Sequence, residues 1–175
     1  AALPRLLLWL SLAEKVLDKE PSAAALVFSA RGQVAADDAR AYVVATVPLL
    51  VEVAETIASL LGNSREYTPS VDSAQSVSSL TSAQFVATLP TLLRLVGGAE
   101  RIVDLDLPRG RELQQRLLGA ALTILSIAPP TLDYNTLFPL RAQVLQVLKP
   151  LLDHDKRRIR SATRLCANRW HMLKK

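Results

Sequence analysis

Cysteine and histidine are scarce in this sequence, which contains one cysteine, Cys166, and two histidines, His154 and His171. A single cysteine excludes an internal disulfide and gives no sign of an oxidising compartment, so we expect a cytoplasmic and nuclear protein. Catalysis needs a nucleophile with a base, paired carboxylates or a metal cluster, and none of these spacings is present. Gly97 and Gly98 are not followed by the Lys and Ser/Thr of a phosphate loop. We therefore expect no catalytic residue, no metal site, no cofactor and no enzymatic activity.

Aromatic residues and long apolar runs are also lacking. Aromatics make up 5% of the residues although half of the chain is apolar, and there are six glycines. This composition favours helices over a sheet. The longest apolar stretch, residues 6–13, contains a serine and is far shorter than the roughly 20 residues that span a bilayer. We expect no transmembrane helix and no membrane partner.

Helical periodicity is clear in several parts of the chain, with a shorter helix predicted after Pro21. Asp37 and Thr81 are the predicted N-caps, and Gly62 and Gly97 the predicted ends, of two of these helices. The predicted helices span residues 3–17, 22–30, 37–61, 82–96, 109–127, 138–152 and 155–173.

An internal repeat gives the most specific indication of the fold. The heptapeptide VATVPLL at 44–50 returns as VATLPTL at 86–92, an offset of 42 residues, within the period of about 40–47 residues of HEAT and armadillo arrays. Pro4 and Pro150 extend the pattern of Pro48 and Pro90. A proline inside a helix costs about 3 kcal/mol, so we expect these four to share a role as bends in the first helix of each pair. The alternative is that the prolines only end helices and that the matches are chance.

The predicted fold is therefore all-α, a HEAT-type α–α superhelix of about three to four helix pairs. We expect residues 1–175 to form a single HEAT-repeat domain, as a fragment of a longer solenoid. Residues 62–82 are rich in Ser and Thr and are predicted to be a mobile insertion, although a spacing of three among their apolar residues leaves a weak helix possible.

The positive charge is concentrated at one end. Residues 141–175 hold ten Lys or Arg against Asp153 and Asp155, a local net charge of +8 that leaves about −3 elsewhere. On a helical wheel the last helix separates an apolar stripe, a basic sector, and a side where Arg158 and Arg169 flank Leu165 and Met172. The predicted core stripe consists of Ile159, Ala162, Cys166, Trp170 and Leu173, and the basic sector of Lys156, Arg157, Arg160 and Arg164.

Cations near the start of a helix are disfavoured by its dipole. These positive charges are compensated either by Asp153 and Asp155 before the helix or by an acidic partner. A third alternative is that the basic sector is a solvated face with no binding role. Trp170 is expected to be either a core residue or an interface anchor. The predicted partner-binding residues are Arg141, Lys156, Arg157, Arg160, Arg164 and Trp170.

Residues 150–162, with Arg164 and Trp170, resemble the C-terminal end of the large HEAT-repeat adaptor of the cytosolic iron–sulfur cluster assembly (CIA) targeting complex. The resemblance covers about the last forty residues well and the rest only as repeat architecture. Residues 155–160 and Trp170 match the family's terminal motif, whereas His154 and the Ser161-Ala162 step depart from it. The resemblance implies docking to the small scaffold subunit, which contacts a WD-propeller subunit, and delivery of clusters to apoproteins such as DNA helicases and polymerases. It also implies that this chain holds no cluster itself.

Two other functions use the same residues. A nucleic-acid-binding solenoid would place the basic sector against phosphates, although the few aromatics near it and the acidic remainder of the chain argue against this partner. A structural cap of a longer solenoid fits the basic terminus equally well.

Overall fold

The computed structural model describes residues 36–63, 82–104 and 109–173, and throughout them the regular structure is helical, with no strand. This confirms the all-α prediction. The α-helices are α1 (Ala36–Asn63), α2 (Ser82–Gly98), α3 (Arg101–Asp104), α4 (Gly110–Thr131), α5 (Tyr134–Leu137), α6 (Arg141–Leu148) and α7 (Arg157–His171). Two 3₁₀ helices, Phe138–Leu140 and Lys149–Asp153, lie on either side of α6.

The helices form two layers, and α4 lies at the centre of the first. Helix α4 packs between α1 and α7, so these three helices make one layer in the order α1, α4, α7. Helix α2 contacts α4 and α6, and α6 contacts α7. The second layer therefore contains α2 and α6, and the pairs that connect the two layers are α2–α4 and α6–α7. This arrangement is consistent with the predicted α solenoid, in which each pair is stabilised by its neighbours.

Helix α4 is apolar on most of its circumference because it has neighbours on several sides. Leu117, Leu118, Leu122 and Leu125 are each no more than 1% exposed, although they point in different directions around the axis. A helix of this kind is a core helix, not a surface helix with one apolar stripe. The described part contains no helix with the length and apolarity needed to cross a membrane.

The repeat prediction is only partly correct. Pro48 and Pro90 both lie inside helices, as expected. Helix α1, however, belongs to the α4 layer and α2 to the α6 layer, so the 42-residue offset does not relate equivalent helices. Pro150 lies at the start of the 3₁₀ helix after α6 and not inside an α-helix. Because the backbone nitrogen of Pro150 carries no hydrogen to donate to the preceding turn, the α-helical hydrogen-bonding pattern ends at Leu148.

The predicted helix boundaries agree with the structure to within a few residues. Asp37 lies one residue inside α1, so it is not the N-cap, and Gly62 and Gly97 each lie one residue before the end of their helix. The predicted helix 138–152 is split by its prolines into 3₁₀, α and 3₁₀ segments. The predicted helices 3–17 and 22–30, Pro4, Thr81 and nearly all of the insertion 62–82 lie outside the described residues.

Candidate protein-binding surface

The turn before α7 positions the basic residues, and Arg160 stabilises it. The Arg160 guanidinium Nη1 donates to the carbonyl oxygens of His154 at 2.6 Å and Asp155 at 2.9 Å. The backbone N–H of Lys156 donates to Nδ1 of His154 at 3.1 Å. Arg160 is half-buried, so part of its guanidinium holds the chain at the start of α7 and the rest reaches the surface.

The exposed basic cluster is formed by Lys156, Arg157 and Arg164, with Arg160 behind it. Arg157, Arg160 and Arg164 line a shallow cavity of about 310 Å³ together with Ser161. Residues three and four apart are neighbours on a helix surface, so these guanidinium groups lie within two turns of one another. The structure thus brings together four of the six predicted partner-binding residues.

The acidic residues beside the cluster form no close ion pair with it in the part of the chain that the structure describes. In the described part of the chain, the ion pair closer than 4.0 Å joins Arg116 to Glu55. Asp153 and Asp155, both exposed, form no such pair with the cluster. Like charges near a helix N-terminus repel one another and oppose the helix dipole. Compensation by the nearby charges of Asp153 and Asp155, an acidic partner and a solvated face all stay predictions.

Arg141 does not belong to this cluster. It lies at the start of α6, is half-buried, and its Nη2 atom is 3.3 Å from Nδ1 of His171 at the end of α7. Helix α7 has 15 residues, so this contact and the Lys156 end of the helix are roughly 20 Å apart at 1.5 Å per residue. Arg141 joins the far end of α7 to α6.

Trp170 is a core residue, and its predicted role as a partner contact is wrong. The side chain is 0% exposed, its indole N–H donates to the carbonyl oxygen of Leu125 at 2.9 Å, and its ring stacks on Phe85 with centroids 6.2 Å apart. Arg169, expected on an exposed side of α7, is half-buried and donates from Nη1 to the carbonyl oxygen of Ser126 at 2.9 Å. Both side chains bind α7 to the rest of the fold.

Two exposed apolar residues were missing from the predicted site. Leu165, on α7, is 53% exposed, and Met172, the C-cap residue that directly follows this helix, is 67% exposed. Their spacing of seven residues places them on the same side of the helix, about 10 Å apart. Leu165 lies about 100° around the helix axis from Arg164, so the apolar and basic groups occupy neighbouring sides of the exposed surface. The helical wheel had already separated these two residues from the core stripe.

Cys166 lies in the core, as predicted, and not on this surface. Its side chain is 0% exposed, and burial raises the pKa of the thiol to about 12 although Arg169 acts in the opposite direction. The described residues contain no group of three or more His, Cys, Asp or Glu side chains that could hold a metal ion.

Comparison with known proteins gives one informative similarity. The chain is 32% identical over 65 residues to a protein of Dictyostelium discoideum named MMS19 nucleotide excision repair protein homolog. The match covers 37% of this chain and 6% of that relative, so the similarity is limited to a small part of the relative's length. No family model matches the chain, and no solved structure does.

Proposed function

We propose that this chain is a protein-binding adaptor domain that contacts its partner with the exposed face of α7. The proposed surface consists of Lys156, Arg157, Arg164, Leu165 and Met172, with Arg160 holding the turn behind it. The observation that carries the proposal is the positive charge at the start of α7, which forms no close ion pair with the described residues. An acidic partner would relieve that repulsion.

The composition of this face supports a protein partner. Interfaces between proteins combine an apolar centre with a polar rim, and arginine and methionine are enriched in them relative to the rest of the surface. Leu165 and Met172 would supply apolar area, while Arg157 and Arg164 would supply the rim. Arginine also pairs with carboxylates in a planar, bidentate geometry.

We further infer that the partner is the small scaffold subunit of the CIA targeting complex and, through it, the WD-propeller subunit. Two observations support this. The residues around the turn and α7 resemble the end of that complex's large adaptor, and the Dictyostelium relative is named as a repair protein homologue. Cluster delivery to DNA helicases and polymerases agrees with a repair name. In this proposal the chain acts in the cytoplasm and nucleus, is not an enzyme and holds no cofactor.

Isothermal titration calorimetry of the purified scaffold subunit binding to the full chain tests the proposal. We expect the double variant Arg157→Glu and Arg164→Glu to weaken binding by about tenfold or more, because truncating or reversing charge pairs commonly costs over 1.4 kcal/mol. The matched control is Arg111→Glu, which reverses an exposed arginine of α4. Equal affinities of the double variant and the wild type would remove α7 from the interface.

The basic cluster is also the feature that a nucleic-acid-binding solenoid would use, and the two functions differ in their response to salt. Each phosphate contact adds about 0.9 to the slope of log affinity against log salt for duplex DNA. We expect protein binding to survive moderate salt and filter binding to retain no DNA or RNA even at low salt. If the filter retains DNA or RNA, and the affinity falls with salt as steeply as several phosphate contacts require, nucleic-acid binding would be favoured. A structural cap instead predicts that charge reversal leaves every partner unaffected.

A further inference from the structure

A second surface feature lies between α1, α4 and α7 and reaches Arg158, the residue after Arg157 of the basic cluster. It is a groove of about 520 Å³ whose floor is made of small side chains contributed by all three helices. Ala58 comes from α1, Gly119 and Ala120 from α4, and Ala162 from α7. Three helices of one layer thus leave a channel where their facing residues are too small to fill it.

Gly119 is the least expected residue of this groove. It lies in the interior of α4, where glycine destabilises a helix relative to alanine. A Cβ atom added at Gly119 would meet no other atom within 4 Å. Neither close packing nor an unusual backbone conformation therefore requires glycine here. The lack of a side chain at Gly119 does keep the groove deep.

The two walls of the groove carry different charges. On the α1–α4 side, Arg116 donates from Nε and Nη2 to the two carboxylate oxygens of Glu55 at 2.9 and 2.6 Å, so these charges satisfy each other. On the α7 side, Arg158 is exposed and forms no hydrogen bond or ion pair with the described residues. Glu112 adds a second carboxylate to the α4 wall. A carboxylate is the group that would pair with Arg158 on the α7 wall.

We propose that this groove docks a segment of a partner protein in which an apolar side chain enters the gap above Gly119 and a neighbouring carboxylate pairs with Arg158. The aliphatic floor of Ala58, Ala120 and Ala162 fits an apolar side chain. Glu55 and Glu112 on the opposite wall disfavour a polyanion such as nucleic acid. Arg158 lies seven residues before Leu165 and therefore on the same side of α7 as part of the proposed scaffold-binding face. The two surfaces adjoin without sharing a residue, so separate variants distinguish them.

The test uses the full chain and two fluorescein-labelled synthetic peptides, one with a leucine flanked by glutamates and one with the same leucine flanked by lysines. Fluorescence anisotropy should show binding of the glutamate peptide only. We expect Gly119→Gln, which fills the gap, and Arg158→Glu, which reverses the charge, each to weaken binding by about tenfold, equivalent to the loss of one good contact. Arg158→Glu should also raise the affinity for the lysine peptide.

Three controls separate this site from other effects. Ala142→Gln adds the same side chain at an exposed position of α6 outside the groove, and Arg164→Glu changes the basic cluster; neither should alter peptide affinity. Gly119→Ala should raise the melting temperature by about 2 °C, since alanine stabilises the helix and has room there. Equal affinity of the Gly119→Gln variant and the wild type, or no binding of the glutamate peptide, would overturn the proposal.

Discussion

The indole N–H of Trp170 donates to the carbonyl oxygen of Leu125 at 2.9 Å, and this contact replaces a hydrogen bond that α4 cannot make. The carbonyl of Leu125 should accept from the N–H four residues later, but that residue is Pro129, which lies inside α4 and has no N–H. Leu125 is fully buried, so water cannot satisfy its carbonyl. Trp170 therefore completes the hydrogen bonding of a neighbouring helix.

Trp170→Phe should lower the free energy of unfolding by about 1–3 kcal/mol, because it leaves a buried carbonyl without a donor. The structure predicts a specific rescue. Pro129→Ala restores the backbone N–H that the carbonyl of Leu125 lacks, so the cost of Trp170→Phe should fall by about 1 kcal/mol in that background. Urea unfolding of the four proteins of this double-mutant cycle, followed by circular dichroism, measures the coupling.

The same cycle contains its own control. Packing of the ring on Phe85 is largely retained in Trp170→Phe, so any cost from a smaller ring is the same with or without Pro129. If the substitution costs as much in the Pro129→Ala background as in the wild type, the indole hydrogen bond is not compensating for the proline.

Arg169 has an analogous role one residue earlier on α7. The carbonyl of Ser126 lies four residues before Pro130 and accepts from Nη1 of Arg169 at 2.9 Å. Arg169→Met, which keeps most of the aliphatic stem, should cost about 1 kcal/mol because the site is only partly buried. Chemical denaturation should show this loss reduced in a Pro130→Ala background. A loss independent of Pro130 would attribute the effect of Arg169 to packing alone.

The pattern of α7 was predictable because a helical wheel records the direction of each Cβ atom. Ile159, Cys166 and Trp170 were assigned to one face and are buried. The wheel failed for Arg169, whose Cβ points toward the surface while its long side chain reaches back to α4. It also could not show that Trp170 completes the hydrogen bonding of α4, because that role arises from Pro129, some forty residues earlier.

The layer to which each helix belongs could not be predicted from the sequence, for a different reason. A local match such as that around Pro48 and Pro90 specifies similar helices, but packing partners depend on contacts between distant segments. The described residues place these two helices in separate layers. Similarly, the groove floor at Gly119 combines residues from three helices, and no spacing along one of them indicates it.

Cys166 should be almost unreactive in the folded protein. Burial raises the pKa of its thiol from 9.0 to about 12, which reduces the thiolate fraction at neutral pH by about a thousandfold, and the thiolate is the nucleophile. Alkylation by iodoacetamide, measured by mass spectrometry, should be slow without urea and rapid in it. Because the chain has one cysteine, each modified molecule reports this site. Rapid labelling of the native protein would contradict the burial.

The raised pKa of Cys166 also sets the direction of a stability change with pH. Between about 9 and 12 the unfolded thiol loses its proton while the folded one retains it, so the unfolded state is favoured as pH rises. This contribution to stability is fully present below pH 9 and is lost as pH rises towards 12. Cys166→Ala should flatten that part of the unfolding profile relative to the wild type.

The pair between Glu55 and Arg116 should stabilise the contact of α1 with α4 in a pH-dependent way. Hydrogen bonds from Arg116 lower the pKa of Glu55 below its ordinary value. The stabilisation is therefore present above that ordinary value and is lost as pH falls through the lowered folded pKa. Both side chains are about 40% exposed, so the pair contributes at most about 1 kcal/mol.

Glu55→Gln removes the charge of this pair while keeping the shape of the side chain. In urea unfolding at about pH 7 we expect it to lower the free energy of unfolding by up to about 1 kcal/mol, and this loss should shrink as the pH falls through the lowered folded pKa and the wild-type carboxylate becomes protonated. Arg116→Met is the matched change on the other side, and the two losses should not add, since each variant alone breaks the pair. Equal losses above and below that folded pKa would assign the effect to packing instead of charge, and the wall of the groove would then not depend on ionisation of Glu55.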